Sequence, residues 1–170
     1  MKKLVLIVLS LYVYGCATMH SPIPENYSGP ISTITSSENR YGSSKVDLFY
    51  LEGIDGKTIE NALGATRNAS NGKGTVITTV HPNIEVPSKD ATFTIVGRTT
   101  HGMPFQALLS DVYEVKGDIV FSPTPNETYI VKGVLGKEYS SVWLEIKQTG
   151  EVVNDKIEIH GDSSHGLFQK

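Results

Sequence analysis

From Pro30 onward the apolar residues of this chain tend to recur at every second position, a period that admits β-strands and leaves no room for long helices. Tyr113, Val115, Gly117, Ile119 and Phe121 share one face, with Glu114, Lys116 and Asp118 opposite. Tyr129, Val131, Gly133 and Leu135 repeat the arrangement. So do Val142, Leu144 and Ile146, which leave Trp143 on the other side among Glu145 and Lys147. Phe93, Ile95 and Gly97 line one face of residues 91–99, while 46–54 is apolar on both faces and reads as a central strand. Residues 31–36 and 157–159 predict a first and a last strand. Asp55-Gly56 tolerates positive φ at both central positions of a two-residue hairpin, with residues 57–59 returning. Thr149-Gly150 reads as a turn into residues 151–153. Pro82, Pro87 and Lys89 lie in or beside residues 84–86, which marks that segment as a sheet edge.

Only two stretches look helical: 59–69, weakened by Gly64, and a single turn at 105–109. The expectation is therefore an all-β fold, one immunoglobulin-like or transthyretin-like β-sandwich of about seven to nine strands with one or two short helices. A length of 170 residues, 39% apolar and 19% charged, suits one globular domain with a substantial core. The interior glycines Gly97, Gly117 and Gly133 mark bends or a close approach of the sheets; the alternative is a groove for a ligand.

The first residues are of another kind. Met1-Lys2-Lys3 is a positive leader, and the 11 residues from Leu4 to Tyr14 are apolar except for Ser10. That run is too short for a hydrocarbon core, which takes about 20 helical residues, and fits a secretory signal. The only cysteine follows immediately, so no intramolecular disulfide is possible. Setting aside Lys2 and Lys3 leaves 13 basic against 18 acidic residues. A mildly acidic chain without a basic run argues against nucleic-acid binding.

Val13-Tyr14-Gly15-Cys16 resembles the bacterial lipobox, with Tyr14 bulkier than is usual at its position. The resemblance implies a diacylglycerol on the Cys16 sulfur, cleavage before Cys16 and acylation of the new amino terminus. Ala17, where an Asp would retain the protein, implies sorting to the outer membrane of a Gram-negative cell. More than one acyl chain is what stable anchoring requires. The organisation that follows is a lipoprotein signal peptide at 1–15, the lipidated Cys16 and a flexible tether at 16–29, a β-sandwich at 30–160 and a C-terminal tail at 161–170. The tether reading rests on Pro22, Pro24 and the missing periodicity.

Catalytic motifs fail on inspection. Asn71-Gly72-Lys73-Gly74-Thr75 has the glycines of a phosphate loop in the wrong order and no parallel βαβ context, so it reads as a loop. Gly161-Asp162-Ser163-Ser164-His165 brings Ser, His and Asp together, but on a terminal tail rather than on rigid elements. His160, Asp162 and His165, joined by His81 or His101, are a loose set for a metal and read as surface residues. No catalytic residue, cofactor or metal is assigned. Trp143, beside Tyr139 on a polar strand face, is the residue flagged for binding, with His101 as a possible companion; packing under the tether or a loop is the other reading.

The body carries its own likeness. Phe49-Tyr50 before Asp55-Gly56-Lys57, then Thr94 to Arg98, Phe121-Ser122-Pro123, Tyr129-Ile130-Val131 and Thr149-Gly150, resemble proteobacterial lipoproteins of unknown function over roughly residues 45–153. These motifs imply a fold and no activity. The expected role is a non-enzymatic, membrane-anchored envelope protein that docks a protein partner or supports the envelope. The alternative is a binding module for a small molecule, glycan or metal, with a partly apolar pocket near Trp143, Tyr139 or His101.

Overall fold

The computed structural model describes residues 19–103, 105–106 and 110–161. It is a two-sheet β-sandwich. One sheet contains β1 (Ile31–Thr35), β5 (Ile84–Pro87), β8 (Thr128–Val134), β9 (Tyr139–Ile146) and β10 (Ile157–His160), in the order β10-β9-β8-β1-β5. The other contains β2 (Ser37–Arg40), β3 (Lys45–Ile54), β6 (Ala91–His101) and β7 (Glu114–Phe121) in sequence order, with β4 (Lys57–Thr58) also paired to β3. Every ladder is antiparallel except β1 with β8. Ten strands are present among the described residues, against the seven to nine expected. The first β-prone run divides at Ser36 and continues in the opposite sheet as β2. The arm returning from Asp55-Gly56 pairs over only two residues and adds β4.

β3 explains the layering. Phe49 and Leu51 point between the sheets, where they meet Phe93, Ile95, Val115, Val131, Val142 and Leu144 in one buried cluster. Val46, Leu48 and Tyr50 point the other way, into a second cluster with Val96, Ala62 and Ile77. That outer face is covered by the helix α1 (Ala62–Ser70) and the segment after it. Each such side chain contributes about 1.5–3 kcal/mol on burial, so a strand apolar on both faces needs a cover on both. Asn61 caps the helix, its side chain accepting the Leu63 and Gly64 N–H groups at 3.1 Å. The hairpin adopts the expected turn, with Asp55 at φ 50° and Gly56 at φ 72°. Phe105 and Gln106 are helical; the rest of the expected turn lies outside the described residues.

β5 lies at a sheet edge, as its prolines predict. The stretch read as a tether differs from expectation, since from His20 on it is laid against the domain. His20 N–H donates to the Thr58 carbonyl at 2.9 Å, forming a parallel bridge with Ile59. Further on, the Tyr27 hydroxyl donates to the Pro30 carbonyl at 2.7 Å, and the Lys89 ammonium stands 5.6 Å from the Tyr27 ring. The two prolines that disrupt periodicity in this stretch do not prevent backbone pairing at His20, which retains its N–H.

Candidate functional site

A cleft of about 740 Å³ opens across the outer face of the first sheet near β5. Thr33 of β1, Glu85 of β5 and Thr128 of β8 form its floor, and Lys147 closes one end. Ser21, Pro22 and Ile23 of the amino-terminal segment wall one side; Glu60, just before the α1 cap, Ala65 of α1 and Pro82 complete it. The lining mixes apolar contacts with two carboxylates and one ammonium. That mixture suits a polar ligand with a modest apolar surface, and the volume is within the ordinary range of about 300–1,000 Å³ for small-molecule sites.

Just beyond this cleft stands a polar cluster. His81 Nδ1 lies 2.8 Å from Ser36 Oγ, and its Nε2 lies 3.3 Å from Glu38 Oε2. The Arg40 guanidinium donates to Glu38 Oε1 at 3.0 Å and to Thr79 Oγ1 at 2.8 Å. Burial pushes the Glu38 carboxyl up, but hydrogen bonds from Thr79 and Arg40 and the charges of Arg40 and His81 outweigh it and hold the group below the usual carboxylate range. A serine, an imidazole and a carboxylate in a hydrogen-bonded row have the partners of a nucleophilic relay. Two features oppose that use: Ser36 is only 9% exposed, and Glu38 divides its oxygens between His81 and Arg40. The arrangement joins β2 to residues 77–81, the strap that covers the outer face of β3.

Sequence reasoning missed this cluster. Its signal was the alternation Ser36, Glu38, Arg40 on one strand face and Thr79, His81 on another segment. The two runs are some 40 residues apart, and only tertiary packing makes them neighbours.

A second polar group lies at the same end of β3 but on its other face, since Glu38 and Arg40 pair with Leu48 and Val46 and Asp47 stands between these. Asp47, 2% exposed, accepts from Thr99 Oγ1 at 2.7 Å. Burial raises its carboxyl above the usual range, an effect only partly offset by the hydrogen bonds of Thr99 and Tyr41 and the charges of Lys45 and His101. His101 ends β6 opposite Lys45; burial first, then the Lys45 charge, pushes its imidazole below the usual range.

The flagged residues Trp143, Tyr139 and His101 do not meet, and none of them lines the described cleft. Trp143 is half-buried on the outer face of β9, with the Lys156 ammonium 4.1 Å above its ring and its own N–H donated to Glu145 at 3.1 Å. Tyr139 packs beside His160, ring centroids 5.2 Å apart, and its hydroxyl donates to Glu158 at 2.5 Å. That hydrogen bond is the main reason the Glu158 carboxyl lies below its usual range. His101 belongs to the other sheet. Alternation placed Trp143 and Tyr139 on one outer face but not the partners that occupy them.

Cys16 lies outside the described residues, as do Asp162, Ser163, Ser164 and His165. Among the described residues, no three His, Cys, Asp or Glu side chains are grouped to hold a metal ion. Residues 71–75 form a loop with positive φ at Gly72 and Gly74, and Lys73 Nζ donates to Thr78 Oγ1 at 2.9 Å. The interior glycines take the close-approach reading: side chains fill the space beside each, Phe49 at Gly97 and Gly133 and Ile157 at Gly117. No protein-family model matches this chain, and no match was found among curated proteins or solved structures.

Proposed function

We propose that the chain is a non-enzymatic lipoprotein of the bacterial cell envelope, held through acyl chains on Cys16 at the outer membrane, with its sandwich as a docking or structural module. The observation that carries this reading is the position of the single cysteine, directly after an 11-residue apolar run and a glycine. The likeness of Val13-Tyr14-Gly15-Cys16 to a lipobox supports it, and so does the likeness of residues 45–153 to proteobacterial lipoproteins of unknown function. The Ser36 burial and the sharing of Glu38 with Arg40 favour a structural rather than a hydrolytic use of the polar cluster.

The test is the intact mass of the membrane-extracted protein beside a Cys16→Ala form, with fractionation of both. The expected result is acyl mass at Cys16, in the outer-membrane fraction, that the variant lacks. An unmodified, soluble protein overturns the anchored reading. The docking role further predicts a stoichiometric envelope partner after crosslinking in whole cells.

A second reading, a binding module for a small molecule or glycan, is favoured by the cleft beside β5. It predicts saturable ligand binding that Ala65→Trp, which narrows the cleft, removes without unfolding the protein.

A further inference from the structure

The amino-terminal segment constrains how an anchored sandwich can sit. Cys16 and His20 are four residues apart, and four residues of fully extended chain reach at most about 14 Å. Beyond that point there is no slack, because His20 N–H is bonded to the Thr58 carbonyl at 2.9 Å. The bridge partner of His20 is Ile59, a core residue only 1% exposed, so the attachment is to the folded body and not to a loose loop.

Resting on the anchored reading above, we propose that the side of the sandwich bearing His20, β4 and the Asp55-Gly56-Lys57 turn lies against the lipid headgroups, and that the β7–β10 side faces away. Strand spacing makes the choice. β4 and β7 are separated by β3 and β6, so about 14 Å of protein lies between them at about 4.8 Å per strand. In the other sheet, β5 and β10 are four spacings apart, about 19 Å. Turning the β7–β10 side to the bilayer would oblige the leash to pass around the molecule, over a path longer than either straight line and beyond its own reach.

The surface on the near side has suitable chemistry. Asp55, Gly56, Lys57 and Thr58 are all exposed, and nothing stands within 4 Å of the position of a Cβ on Gly56, so the turn projects freely. Lys57 brings a cation to the level of anionic headgroups. Met19, 57% exposed, places an apolar side chain immediately before His20.

The experiment uses the full acylated protein with one added cysteine, because the thioether of an acylated Cys16 leaves its sulfur unreactive to maleimides. A fluorophore is attached at Lys57→Cys or at Val120→Cys, the latter on β7 and 64% exposed. Each protein is reconstituted in phosphatidylethanolamine–phosphatidylglycerol vesicles carrying a headgroup nitroxide quencher. The expected result is several-fold stronger quenching at position 57 than at 120, with the difference lost when ten Gly/Ser residues are inserted between Ala17 and Thr18. Equal quenching, or stronger quenching at 120, in protein of confirmed acyl mass overturns the orientation while leaving the anchor standing. Protein that lacks acyl mass and does not float with the vesicles overturns both.

Discussion

The Phe49 ring occupies the space that a side chain at Gly133 would need, although the two residues belong to opposite sheets. A Cβ at Gly133 would stand less than 3.0 Å from Phe49 Cδ1 and Cε1, and 2.5 Å from the Ser141 carbonyl oxygen. Phe49 also lies over Gly97, its cross-strand partner in β6, where a Cβ would be 2.9 Å from the ring. Two glycines thus accept one aromatic ring, and the sheets close over it without a groove.

The first prediction separates these contacts. Gly133→Ala should destabilise the protein by about 1–3 kcal/mol, since overpacking here meets backbone that cannot turn aside. Gly97→Ala should cost less, because its neighbours are the Phe49 ring and a Val115 methyl, which can shift. Urea denaturation of the purified variants measures both. Phe49→Leu in the same background should relieve Gly97→Ala more than Gly133→Ala; equal relief would show that the Ser141 backbone is not the obstacle.

Asp47 and Glu38 should give opposite pH dependence. The Asp47 carboxyl is raised by burial in the folded state, so the native protein holds its proton more tightly than the unfolded chain. Its effect on stability therefore becomes unfavourable as pH rises from about 3.8 through the raised folded value. Asp47→Asn should remove that loss and be neutral or stabilising at pH 7, with an amide oxygen still able to accept from Thr99. Glu38 is lowered, so its contribution is present above about 4.5 and disappears as pH falls through the lowered value. Glu38→Gln should cost stability at pH 7, by about 1 kcal/mol or less for a partly exposed pair. Denaturation midpoints from pH 3 to pH 8 would reveal both signs.

The Ser36–His81–Glu38 row offers a direct check on the non-enzymatic reading proposed above. A fluorophosphonate reacts with an activated serine hydroxyl, and the expected result is an unmodified Ser36 by peptide mass after prolonged exposure. Covalent labelling at Ser36 that His81→Ala abolishes would overturn the non-enzymatic reading.

Asn61 begins α1 by accepting two backbone N–H groups. Asn61→Ala should therefore cost about 1 kcal/mol. Asn61→Asp should retain most of the stability, because a carboxylate accepts the same bonds and suits the helix amino terminus. Thermal denaturation of the two variants distinguishes capping from a general effect at a buried position.

Local signals account for much of the architecture. Alternation identified the inward faces of β6, β7, β8 and β9, because a side-chain period of two is imposed by the strand backbone itself. Asp55-Gly56 specified its turn because few other pairs accept positive φ twice. Apolar residues on both faces of residues 46–54 required cover on both sides, which the second sheet and α1 supply. The anchor proposed at Cys16 rests on covalent order alone, since that residue lies outside the described residues. The partners of long-range contacts were not legible in this way. Nothing local says that the strand beginning at Ile31 changes sheets at Ser36, that His81 returns between Ser36 and Glu38, that Phe49 reaches Gly133, or that His20 pairs beside Ile59. Those relationships arise when chain segments far apart in sequence compete to cover the same apolar surface. Period and turn chemistry determined which way each strand faces; only tertiary packing decided what it faces.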